Sequence, residues 1–170
     1  MRELTVKIQF TKHSLGNVRR FLSHGTKSQQ YFAFQRSPDG RVMFLPRGWR
    51  ANMLFATELM SRHQSEVDNI CFDPHIDGHP RPVPLELYKR YYSPQRFTKH
   101  EAFNPGDVIS VNAAVPDCIS DEEFWHLMDI AGRYKGVSQA MPTEYGYFTV
   151  ESLIKRYAPV KAPEIVDLQL

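Results

Sequence analysis

Leu4, Val6, Ile8 and Phe10 alternate with Thr5, Lys7 and Gln9, the period-two pattern of a half-buried strand. The same pattern returns at Ile109, Val111, Ala113 and Val115, and again where Phe148 and Val150 alternate with Tyr147, Thr149 and Glu151. Two other stretches carry helical spacing. Phe124, Leu127, Met128 and Ala131 share one face. Ser120 stands three residues before Glu123, where each side chain can satisfy a backbone donor at the other's position. This predicts a helix starting at Ser120, with Gly132 as the left-handed residue that ends it. In GWRANMLFATELMSRH, Trp49, Met53, Ala56 and Met60 fall on one face of a second helix, introduced by Pro46 and Arg47.

Turn chemistry separates these elements. Asn104-Pro-Gly-Asp107 precedes one strand, and Ser37-Pro38-Asp39-Gly40 joins the β-prone runs Tyr31 to Arg36 and Arg41 to Leu45 into a hairpin. Residues 11–30 mix glycine, serine and cations, among them Lys12, Arg19, Arg20 and Lys27, and read as a basic loop with at most a helical turn. Residues 67–84 are rich in Asp, His, Gly and Pro and read as a long loop or edge excursion. The chain beyond Tyr157, with Pro159 and Pro163, reads as extended and poorly ordered.

The order is strand, hairpin insertion, helix, variable basic segment, strand, helix, glycine loop, strand. It predicts an α+β fold of ferredoxin-like βαββαβ plan, with an antiparallel sheet, two main helices and insertions. At 170 residues the chain suits one domain, placed at 1–157 with a tail at 158–170. No apolar run approaches a membrane span and the first residues lack signal-peptide architecture, so a cytoplasmic protein is expected. Cys71 and Cys118 are too few for a disulfide framework.

Charge changes the picture. Residues 1–100 carry 16 Lys+Arg against 8 Asp+Glu, whereas residues 101–170 carry 5 against 11. A basic front half points to a polyanionic partner unless the fold neutralises it internally. Arg47 and Arg50 stand at a helix start, where free N–H groups and the dipole favour an anion. Tyr91 and Tyr92 interleave with Lys89, Arg90 and Arg96, a composition suited to stacking bases while neutralising phosphates, and equally to a strand with an aromatic core face. Arg133 and Lys135 sit in the basic glycine loop.

Three passages resemble the repeat-associated mysterious protein superfamily, the RNA-recognition-motif relatives that include CRISPR subunits. VMFLPRGWRA (Val42 to Ala51) matches a Pro-Gly-initiated helix carrying a basic residue. HEAFNPGDVI (His100 to Ile109) matches a Glu, Pro-Gly, strand passage. AGRYKGV (Ala131 to Val137), with Tyr145-Gly146-Tyr147-Phe148 beyond, matches a late glycine loop before the last strand. The likeness covers roughly residues 40 to 155, and more narrowly resembles small single-domain versions from bacteriophage genomes. The superfamily likeness implies association with RNA or with a CRISPR-type complex, whereas the phage versions are of unassigned role and imply no function.

Candidate chemistry is sparse. Guide-processing members of the superfamily use a histidine as general acid or base, which makes His13, His24, His63 and His100 the candidates for a ribonuclease reading. His75, Asp77 and His79 could present two imidazoles and a carboxylate to a metal, but the proline-rich setting reads equally as a solvent-facing turn. No metal or other cofactor is expected. The leading expectation is a non-catalytic protein that binds single-stranded nucleic acid, RNA before DNA. Arg47, Arg50, Arg133 and Lys135 would hold phosphates, Lys89, Arg90 and Arg96 would extend the track, and Tyr91 or Tyr92 would stack bases. The alternative from another class is a protein-interaction module docking on a host complex through the acidic Asp117, Asp121, Glu122 and Glu123. Assembly into oligomers fits both.

Overall fold

The computed structural model describes the backbone of residues 1–24, 27–60, 64–82, 89–90, 93–97, 99–138, 145–155 and 158–160. Side chains are described for 1–20, 31–60, 66–81, 100–138 and 145–155. It is a mixed α+β fold with antiparallel sheets and two principal helices.

The first predicted strand forms as β1 (Arg2–Phe10). It is followed by β2 (Ser14–Leu15), β3 (Val18–His24), β4 (Lys27–Ala33), β5 (Gln35–Arg36), β6 (Val42–Met43) and the helix α1 (Pro46–Leu59). A short helix α2 (Gln64–Val67) leads to β7 (Cys71–Asp77), β8 (Arg81–Pro82), β9 (Lys89–Arg90), β10 (Ser93–Phe97) and β11 (Lys99–Phe103). Then come β12 (Val108–Val115), α3 (Asp121–Tyr134), β13 (Phe148–Lys155) and β14 (Ala158–Val160).

The main sheet runs β14-β13-β1-β12-β7-β6-β5. β1 lies between β12 and β13 and is antiparallel to both, with Val6 facing Val111 on one side and Leu153 on the other. Alternation decides which face is buried. Leu4, Val6, Ile8 and Phe10 are at most 1% exposed and meet the helices, while Lys7, Gln9, Ser110, Asn112 and Thr149 lie on the opposite face, exposed or partly so. Each buried aliphatic or aromatic side chain contributes about 1.5–3 kcal/mol, so a one-residue slip of β1 would reverse its faces at large cost. The α1 and α3 helices pack on each other, α3 also against β13 and α1 against β7.

A second sheet, β2-β11-β4-β3, joins the core through Phe103, whose ring stacks on Phe10 at 5.5 Å and lies 5.1 Å from Phe34. β11 pairs with β4 in parallel.

Several sequence expectations are corrected. The basic stretch after β1 is not a loop: Val18 to His24 pairs residue by residue with Lys27 to Ala33 as a long hairpin. Residues 71–77 form β7, between β12 and β6, with the Pro74 carbonyl accepting from the Phe44 N–H at 2.8 Å. Pro74 is tolerated because its carbonyl, not its missing N–H, faces that neighbour. The helix α3 begins as predicted, with the reciprocal Ser120–Glu123 capping box complete. It runs past Gly132, however, because Gly132 faces Phe148: a Cβ there would lie 2.4 Å from the Phe148 ring and its carbonyl oxygen. The left-handed residue after the helix is Gly136, at φ 72°. Beyond Tyr157, residues 158–160 pair with β13 and extend the sheet.

Candidate nucleic-acid interface

Arg47, Arg50 and Arg133 stand in sequence beside residues of one buried contact. Trp49, in the first turns of α1, lies 6.1 Å from the Phe148 ring in an edge-on contact, and Gly132 of α3 backs onto the same ring. Arg47 and Arg50 flank Trp49 along α1, and Arg133 follows Gly132. The start of α1 and the end of α3 therefore meet over the beginning of β13. Helix α1 begins with Pro46 and has neither a capping side chain nor an acidic residue in its first turn.

The side chains fare differently. Arg50 pairs with Asp68 at 3.2 Å, and Arg133 with Asp129, one helical turn earlier, at 2.7 Å. Arg47 and Lys135 are exposed and make no ion pair among the described residues. Exposed ion pairs are worth only about 0–1 kcal/mol, so phosphate oxygens can compete for Arg50 and Arg133 but meet no rival at Arg47 and Lys135. The backbones of Lys89 and Arg90 lie in β9 and that of Arg96 in β10, a two-stranded ribbon. The side chains of all three fall outside the described residues, as do Tyr91 and Tyr92 entirely.

Beside Lys135, three chain segments converge. The Gly146 N–H donates to the His13 carbonyl at 2.7 Å, the Thr11 N–H to the Tyr147 carbonyl at 2.8 Å, and the Val137 N–H to the Gly146 carbonyl at 2.8 Å. Gly146 holds φ 71°, and a Cβ there would lie 2.0 Å from the Val137 oxygen. Only glycine permits this crossing. The result is an open-sided pocket of about 290 Å³ lined by Lys12, His13, Tyr145 and Tyr147. Burial lowers the His13 pKa below 6.5, the neighbouring Lys12 acts in the same direction, and Asp107 opposes them. Sequence reasoning had treated Lys12 as part of a loop, His13 as a catalytic candidate and Tyr147 as a sheet-face residue. Only the strand ends bring them together.

The sheet face opposite the helices holds two hollows of about 760 and 640 Å³. The second contains Arg36, Arg41, His75 and His79 together with Asp39, Asp73 and Asp77. Two ion pairs close within it, while Arg36 bonds Glu101 outside it. Asp39 accepts hydrogen bonds from the Ser37 hydroxyl and, at 2.8 Å, from Arg41, which together hold its pKa down to about 2. His75 Nδ1 lies 2.9 Å from Asp73. Among the described residues no three His, Cys, Asp or Glu side chains are arranged to hold a metal ion.

Of the other histidines proposed for acid–base chemistry, His100 is buried, stacks on Phe32 at 5.0 Å and donates from Nδ1 to the Gly16 carbonyl at 2.7 Å. That is a packing role. The His24 side chain and all of His63 lie outside the described residues. The acidic segment is engaged within the molecule: Asp117 with the N-terminal ammonium, Asp121 with Arg2 and Lys155, Glu123 in the capping box.

No protein-family model and no curated protein matches the chain. Among solved structures, a chain described as "Type IV-B CRISPR Complex" superposes with TM-score 0.50 at 8% identity, covering 95% of this chain and 93% of that one. At that identity the likeness is one of fold. Among the described residues no helix is long and apolar enough to cross a membrane.

Proposed function

We propose that this chain is a non-catalytic subunit of the repeat-associated mysterious protein type, of CRISPR-like or phage origin, that holds single-stranded nucleic acid, RNA in preference to DNA, within a larger cytoplasmic assembly. Its fold centre is ferredoxin-like. Support comes from the all-antiparallel neighbours β13-β1-β12-β7, with α1 between β1 and β7 in the chain and α3 between β12 and β13, the βαββαβ order. Near-complete coverage by a chain from a CRISPR complex agrees with a role inside an assembly.

The observation that carries the reading is the pair of exposed cations without acidic partners among the described residues, Arg47 in α1 and Lys135 just after α3, the two helices meeting at Phe148. Phosphates would bind there first and recruit Arg50 and Arg133 from their surface pairs. Lys89, Arg90 and Arg96, with Tyr91 or Tyr92 as stacking rings, would continue the track. Fluorescence anisotropy with a labelled single strand, as RNA and as DNA of the same sequence, tests this over a salt series. Binding should favour RNA and weaken steeply with salt as counterions are released. No affinity at low salt would refute it.

A second reading, a protein-interaction module, is favoured by the internal cancellation of charge. Arg2, Arg36 and Arg81 of the basic half bond Asp121, Glu101 and Asp107 of the acidic half. Co-purification of a stoichiometric protein without nucleic acid would select it.

A further inference from the structure

The pocket of Lys12, His13, Tyr145 and Tyr147 plays no part in the phosphate track. We infer that it takes one unpaired nucleotide of the bound strand, the base against the Tyr147 ring and the phosphate at the Lys12 ammonium. This rests on the strand-binding reading above and names what the strand inserts.

Size is the first argument. About 290 Å³ lies at the lower end of small-molecule sites, roughly 300–1,000 Å³, which suits a single nucleotide and excludes a duplex. Chemistry is the second. A tyrosine ring offers a stacking face to any base, and a cation beside it serves the phosphate. Lys12 is exposed and makes no ion pair among the described residues. His13, partly buried, lines the same pocket with an imidazole, a polar ring beside the apolar tyrosine faces. An acidic peptide would use Lys12 alone and leave both rings idle.

Preorganisation is the third argument. Tyr145 packs on Leu15 and Ala102, so its ring is held by the second sheet. Tyr147 is fixed by backbone bonds from Thr11 and Lys12, at 2.8 and 3.3 Å, and lies along Gly136, where a Cβ would come 2.7 Å from its Cδ1. Lys135 immediately precedes Gly136, so a strand whose phosphate rests on Lys135 passes the pocket mouth. A site built before the ligand arrives loses less entropy on binding.

The test is titration of the full chain with each common ribonucleoside 5′-monophosphate, following backbone amide shifts. Millimolar binding is expected, with shifts confined to Lys12, His13 and Tyr145 to Tyr147. Lys12→Gln and Tyr147→Leu should each weaken it roughly tenfold. Lys12→Gln changes an exposed side chain and keeps the test valid if Tyr147→Leu fails to fold. Absence of shifts in this group overturns the pocket whether or not RNA binds elsewhere. Inorganic phosphate reproducing every shift overturns it too, since no base would then be read. Pocket shifts with no affinity for a longer strand would instead overturn the phosphate track and leave the pocket standing.

Discussion

The two ends of β1 carry similar residue types and treat them in opposite ways. At its start, the Arg2 guanidinium, 13% exposed, bonds Asp121 at 2.6 Å, the Pro116 carbonyl at 2.9 Å and the Ile119 carbonyl. The N-terminal ammonium holds Asp117 at 3.0 Å and lowers its pKa. That end closes the link between β12 and α3. At the far end, Lys12 and the neighbouring Lys135 make no ion pair among the described residues, and the closure is made by backbone bonds, glycine and the neutral hydroxyls of Ser14 and Ser138. A cation serves stability when the fold brings it carbonyls and a carboxylate, and is available to a ligand when the fold seals the same junction without it.

The comparison breaks most sharply at Gly146. Gly146→Ala sets a Cβ against the Val137 oxygen at a left-handed residue, so a loss of about 3 kcal/mol or more in denaturant stability is expected, with nucleotide binding abolished. Next comes Arg2→Met, which leaves Asp121 with only the longer Lys155 contact and removes the donors to two carbonyls. We expect about 2–3 kcal/mol of destabilisation by thermal unfolding and unchanged strand affinity in the remaining folded protein. If Arg2→Met proves neutral, the closed end is not held by its charges.

The double variant Arg47→Ala/Lys135→Ala should do the reverse. Stability should stay within about 0.5 kcal/mol, while the slope of log affinity against log salt falls by about 1.4, two phosphate contacts on a single strand. An unchanged slope would remove these two residues from the interface. A smaller gain is expected from Asp129→Asn, which frees Arg133 from its helical partner. A few-fold tighter binding at low salt, measured by anisotropy, is the predicted sign.

The smallest effect is on pH dependence. His13 has a lowered pKa, chiefly from burial, so the unfolded chain takes up the proton first as pH falls through 6.5. Stability therefore declines below that value, down to the folded-state pKa, and is restored above it. His13→Gln should flatten the stability profile in that window, and an unaltered profile would place the His13 ring in solvent.

The sequence by itself determined what local periodicity can encode. Its alternation gave β1, β12 and β13 their buried and open faces, and Ser120 with Glu123 marked the start of α3, because these patterns depend on residues a few positions apart. It could not reveal β7, whose Asp, His and Pro residues read as a loop until β12 and β6 supplied its partners. Nor could it tell that Gly132 serves close helix–strand contact while Gly136 ends the helix. Charge shows the same division. Counting gave a basic front half, but only tertiary contacts decided that Arg2, Arg36 and Arg81 are neutralised by Asp121, Glu101 and Asp107 while Arg47, Lys135 and Lys12 remain exposed without ion partners among the described residues. Pairing energy depends on separation in space, and residues 26 to 119 positions apart along the chain acquire that separation only when the strands close.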